Sequence, residues 1–128
     1  MDLKKIFRRI ILFYYLYFII FIGYMSFAIL VLETDVDTVP WNTYNTVGTF
    51  IFLIYLINLF LLYMIKPLGK KIFLPLYVLT LIMGLIDPNP DYSYINNITF
   101  FIESLGYTID GIIIAMLYFS DLKKDFEN

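Results

Sequence analysis

The sequence predicts an all-α fold: an integral membrane bundle of four transmembrane helices, N-in and C-in, joined by short loops. Three observations carry this expectation. The 128 residues are 61% hydrophobic and only 16% charged, against about 45–50% and about 25% in soluble domains, and the mean hydropathy is +0.80. The apolar residues gather in four stretches, at about 10–32, 47–65, 72–86 and 98–119, within one domain spanning 1–128. All nine Lys and Arg sit in alternate breaks between those stretches.

The first stretch, Ile10 to Leu32, carries no charge. At about 1.5 Å per residue it reaches about 34 Å, enough to cross a hydrocarbon core of about 30 Å with some tilt. Basic residues precede it, as in a secretory signal, but the run is too long and no convincing small-residue cleavage site follows, so a retained helix is expected. Pro40 and the polar run from Trp41 to Thr46 separate it from the second stretch, Val47 to Ile65, again uncharged. Lys66-Pro67-Leu68-Gly69-Lys70-Lys71 reads as a tight turn, because Pro and Gly both oppose helix continuation. The third stretch, Ile72 to Ile86, is short. It needs the stems of Lys70 and Lys71 to snorkel, or a locally thinned bilayer, and a re-entrant hairpin arm is the alternative. Asp87-Pro88-Asn89-Pro90-Asp91 ends it, and Asn97 or Thr99 is placed to cap the fourth helix, Ile98 to Phe119. The Asn97-Ile98-Thr99 glycosylation pattern is short and carries little weight.

Charge sets the expected orientation. Lys4, Lys5, Arg8 and Arg9 precede the first helix; Lys66, Lys70 and Lys71 lie between the second and third; Lys123 and Lys124 follow the fourth. The other two loops hold Glu33, Asp35, Asp37, Asp87 and Asp91 and no basic residue. Short loops rich in Lys and Arg stay in the cytoplasm, so both termini are expected inside. Tyr14, Tyr15, Tyr63 and Tyr118 are expected at the inner interface, and Trp41, Tyr44, Tyr92 and Tyr94 at the outer one. Lys4, Lys5, Arg8 and Arg9 are expected to contact anionic lipid, which accounts for the basic patch without nucleic acid. The 21 Ile, 13 Phe and 12 Tyr against two Ala suggest an AT-rich gene and a bacterial plasma membrane.

Candidate chemistry is confined to polar residues within the stretches. With no Cys and no His, thiolate sites and imidazole bases are absent, and no Gly-rich phosphate loop occurs. On the fourth helix Glu103, Gly106, Tyr107 and Asp110 share a face at about 100° per residue, beside Ser104, Thr108, Gly111 and Ala115. The polar and small side is expected against other helices, with Ser104, Gly106, Thr108, Gly111 and Ala115 as packing positions. The side bearing Ile98, Ile102, Leu105, Ile109, Ile112 and Met116 is expected in lipid. Asp110 falls near the bilayer centre, where an ionised Asp costs about 2.5–3.5 kcal/mol, so it is expected to be paired or protonated. Asn58, Thr80 and Tyr24 lie at similar depth. A cluster of Asp110, Asn58, Thr80 and Tyr24 follows, with Glu103 as its outer step and Asn58 as the natural partner of Asp110.

Glu103 and Asp110 are about 10 Å apart along a helix, beyond the about 5–9.5 Å of paired catalytic carboxylates. No catalysis, cofactor or metal is expected. Glu33, Asp35 and Asp37 alternate as in a calcium loop, but the turn Gly and distal Glu are missing, so a solvated acidic loop is expected. In size and topology the chain resembles several unrelated small bacterial membrane proteins, including fluoride channels, small multidrug transporters and toxin-immunity proteins; fold does not give function. The expected function is non-catalytic: a sensor, defence or immunity-type membrane protein acting through helix–helix contacts, in a homo-oligomer or with another membrane protein. The alternative is an oligomeric proton or cation channel or transporter using Asp110 and Glu103.

Overall fold

The computed structural model describes residues 2–31, 43–86 and 97–127. Four α-helices, α1 (Leu3–Val31), α2 (Thr43–Tyr63), α3 (Pro67–Leu85) and α4 (Asn97–Phe119), are followed by a short 3-10 helix, Asp121–Phe126. All four α-helices contain segments long and apolar enough to cross a membrane.

The helix ends explain where the sequence reading needs adjusting. Helix α1 starts before its apolar stretch because Asp2 caps it. Its Oδ1 accepts from the backbone N–H groups of Lys4 at 3.1 Å and Lys5 at 3.4 Å, two donors that the first turn leaves unpaired. Helix α2 ends in a paired turn: Lys66 N–H donates to the Leu61 carbonyl at 2.9 Å, and Ile65 N–H to Leu62 at 3.0 Å. This is a Schellman arrangement, with Ile65 at φ 56° in the left-handed position that glycine usually holds.

The turn is therefore Met64 to Lys66, and Pro67 to Lys71 belong to α3 rather than to a loop. Pro67 opens that helix, where its missing N–H costs nothing and its fixed φ suits the first turn. Gly69 does not break the helix but brings it close to α2. A Cβ there would lie 3.0 Å from the Leu62 nitrogen and 3.1 Å from the Leu61 carbonyl carbon. Helix α3 is continuous over 19 residues, with Pro75 inside it. Its length of about 28 Å is enough to cross a membrane.

The helices converge where the basic residues cluster, here called the basic end. Phe7, Ile11, Leu59, Leu62, Phe73, Ile113 and Leu117 are fully buried there. The 3-10 helix closes this end with Leu122 and Phe126, the latter edge-on to Phe7 with ring centroids 5.7 Å apart. Ser120 caps it, accepting from Leu122 N–H at 3.1 Å, and Lys4 pairs with Asp125 at 3.3 Å. Arg8 donates to the Tyr63 carbonyl at 3.1 Å, and Tyr118 donates to the Lys70 carbonyl at 3.1 Å. Arg8 and Lys70 also sit over the Tyr63 and Tyr118 rings. Among the described residues burial thins out toward the other end. Many large apolar side chains, among them Ile19, Phe50, Ile57 and Phe101, are exposed around the bundle, on helices long and apolar enough to cross a membrane.

Glu33, Asp35, Asp37, Trp41, Asp87, Asp91, Tyr92 and Tyr94 lie outside the described residues, as do the side chains of Tyr44, Asn97, Ile98 and Thr99.

Candidate functional site

Helix α4 faces the bundle with Gly106, Ile109, Asp110, Ile113 and Leu117. Ile109 is thus buried rather than lipid-facing, because the bundle's basic half fills its core with bulky side chains at the 3- and 4-residue spacings running on from Asp110. Gly106 is buried against α1: a Cβ there would meet the Tyr17 hydroxyl at 2.6 Å. The notch admits the Tyr17 ring, whose hydroxyl donates to the Ile102 carbonyl at 2.8 Å. Thr108, Gly111 and Ala115 are exposed and Ser104 is half-buried. These four lie across the helix from its buried face, so within one chain they do not form the packing stripe expected of them.

Asp110 is the centre of the site. It is 6% exposed, and its Oδ1 accepts from Tyr14 at 2.6 Å and from Tyr55 at a shorter distance. The two phenolic oxygens lie 3.4 Å apart. Three helices thus meet on one carboxyl oxygen. Tyr14 is a core residue, not an interfacial one. Because α1 starts at Leu3, Tyr14 stands about 16 Å along the helix, level with Asp110. Rings surround the clasp: Phe18 stacks on Tyr14 at 4.6 Å, and Phe73 lies 5.9 Å from Tyr55.

Asn58 is not a partner of Asp110. It is 1% exposed, and neither of its side-chain polar atoms has a hydrogen-bond partner. It sits one turn closer to the basic end than Tyr55, and the tyrosine takes the position at the carboxyl group. Thr80 donates to the Tyr77 carbonyl at 2.7 Å. Tyr24 is half-buried and is not among the residues bonded to Asp110.

Above Asp110, away from the basic end, the four helices part around a cleft of about 500 Å³. Asp110, Tyr14 and Tyr55 form its floor, and Phe21, Gly48, Gly84 and Glu103 line its upper part. Floor and upper part are about seven residues apart on α1, α2 and α4, or about 10 Å. Thr80, Tyr17, Phe52 and Tyr107 complete the walls. The cleft therefore gathers Asp110, Glu103, Thr80 and Gly106 of the sequence-predicted residues, but not Asn58 or Tyr24. Below the floor, the basic half is packed with buried side chains. No group of three or more metal-ligating residues occurs among the described residues. Lys4, Lys5 and Arg9 are exposed at the basic end, with Arg8 half-buried beside them.

The sequence reading missed Tyr14, Tyr55 and Tyr17 as site residues. The available signal was depth: once the helix ends are fixed, Tyr14, Tyr55 and Asp110 are level with one another. No family model, no curated protein and no solved structure matches the chain.

Proposed function

We propose that the chain is a small, non-catalytic polytopic membrane protein whose working part is the Asp110 cleft, a binding site reached from one side of the membrane. One observation carries this reading: a buried carboxyl group forms the floor of a cleft that extends away from the basic end, while the basic end is filled. A site closed below and lined above suits a receptor, sensor or immunity-type protein that holds a partner or ligand. The basic residues of α1, the α2–α3 turn and the 3-10 helix share one end. The positive-inside rule then favours both termini in the cytoplasm of a bacterial plasma membrane, with the cleft facing outward. In this reading the lipid bilayer surrounds the bundle. A second copy or another membrane protein packs on the small-residue side of α4.

The absence of Cys makes the test direct. In sealed spheroplasts a membrane-impermeant thiol reagent should modify Thr80→Cys from outside and leave lipid-facing Ile112→Cys untouched. Failure of Thr80→Cys to react from either side would remove the cleft as a site. A second reading, a proton or cation transporter, is favoured by the shared position of Glu103 and Asp110 in the cleft. Proteoliposomes loaded with proton, sodium or potassium gradients separate the two. Binding alone predicts no flux, whereas flux that disappears in Asp110→Asn establishes a relay.

A further inference from the structure

Resting on the cleft being a binding site, we propose that it takes an organic cation bearing N–H donors, a primary ammonium or a guanidinium on an apolar body. The basis is an imbalance of donors and acceptors. Both hydrogen bonds to Asp110 end on Oδ1. Among the described residues none donates to Oδ2, and it is not among the fully enclosed unpartnered atoms, which are those of Asn58. On a residue 6% exposed that lines the cavity, Oδ2 therefore opens onto the cleft.

The hydroxyl groups around it are already committed as donors. Tyr14 and Tyr55 donate to Asp110, Tyr17 to the Ile102 carbonyl and Thr80 to the Tyr77 carbonyl. What they offer the cleft is lone pairs. Glu103 adds a second carboxylate on the wall, and no Lys or Arg lines the cavity. Only the Tyr107 hydroxyl, on an exposed residue at the side of the cleft, stands outside this pattern. A cavity that accepts and hardly donates selects a ligand that donates. A buried carboxyl group either takes up a proton or is held ionised by a positive charge beside it, and a guanidinium or ammonium supplies that charge and donors together.

The walls define the rest of the ligand. Tyr17, Phe18, Phe52 and Tyr107 present rings, which hold apolar groups and attract cations to their faces. A volume of about 500 Å³ is that of a small-molecule site. A lipid tail would leave Oδ2 unpaired, an anion would meet two carboxyl groups, and a bare metal ion would find no cluster of three acidic side chains among the described residues. A quaternary ammonium carries the charge but cannot donate to Oδ2, so it should bind more weakly than a primary one.

Calorimetric titration of the full chain in lipid nanodiscs at neutral pH tests this with four probes: 2-phenylethylammonium, benzylguanidinium, benzyltrimethylammonium and phenylacetate. The first two should bind saturably at one per chain, the third at least tenfold more weakly, and phenylacetate not at all. Asp110→Asn should weaken the first two at least tenfold. Glu103→Gln, at the exposed wall and away from the clasp, should weaken them severalfold, which keeps the test decisive if the Asp110 variant misfolds. Gly84→Leu, placed where a Cβ meets nothing within 4 Å, should obstruct the cleft with both carboxyl groups intact. Equal binding of phenylacetate would overturn the ligand class. Cation binding unchanged by all three substitutions would place the cations elsewhere and overturn the proposal. No cation binding, with Thr80→Cys still reactive, would overturn the proposal and leave the cleft standing. An unreactive Thr80→Cys would bring down both.

Discussion

Two tyrosine hydroxyls on one carboxyl oxygen hold the Asp110 side chain in place. Removing either donor leaves a buried acceptor short of a partner, a change that costs about 1–3 kcal/mol. Tyr14→Phe and Tyr55→Phe should each lower the thermal midpoint in detergent. The double variant should differ from the sum of the singles by at least about 0.5 kcal/mol, because the hydroxyls share one acceptor. Asp110→Asn keeps an oxygen in place for both donors and should fold, whereas Asp110→Leu should not. Additive losses in the Tyr14/Tyr55 cycle would show that the clasp does not act as a unit. Asn58 predicts the opposite sign. Two buried polar atoms without partners cost free energy, so the similarly sized Asn58→Leu should stabilise the fold by about 1–3 kcal/mol and raise the midpoint. A fall would mean that Asn58 is paired in the folded protein. The sequence located Asp110 and Glu103, since charge within an apolar stretch is conspicuous. It could not locate their partners, because twelve tyrosines look alike until helix ends and rotations fix which of them share a level.

At the scale of elements, the four helices were legible because apolar runs of bilayer length have few other interpretations. Their boundaries were less so. Hydropathy counts Lys4 to Arg9 as a flank, yet the Asp2 cap extends α1 through them. Pro67 and Gly69 read as breakers, yet one opens α3 and the other seats it on α2. Because the atoms facing Gly69 are mostly backbone, they cannot swing aside. Gly69→Val should therefore separate α2 from α3 and cost about 1–3 kcal/mol, as overpacking does, while Gly111→Val, where a Cβ meets nothing within the single chain, should leave the packing of the four helices undisturbed. Comparing the two midpoints in micelles checks this. The closing 3-10 helix has no hydropathy signal, but Leu122 and Phe126 are core residues. Phe126→Ala should cost about 3–5 kcal/mol, in line with large-to-small changes at buried aromatics. A midpoint unchanged by that substitution would show that the 3-10 helix is not part of the fold's core.

For the whole molecule, composition announced the membrane and charge suggested an orientation, but neither could show that the bundle is unevenly filled. That property depends on which apolar residues face inward, and a helix apolar on nearly every side gives no such signal. The burial pattern is nonetheless systematic. From Tyr14, Tyr55 and Asp110 to the basic end, the helices are packed and cross-linked by Arg8–Tyr63, Tyr118–Lys70 and Lys4–Asp125. Beyond those three residues the same helices enclose a cleft. The molecule is thus built like a clothes peg, pinned at one end and sprung at the other. A small rotation about the pinned end moves the far ends of α1 and α4 by an amount that grows with distance along the helix. Amide hydrogen exchange should record this as a gradient of protection within single helices, slow around Ile11, Leu59 and Leu117 and faster around Phe21, Gly48 and Glu103. A ligand gripped by the jaws would flatten that gradient without touching the pin.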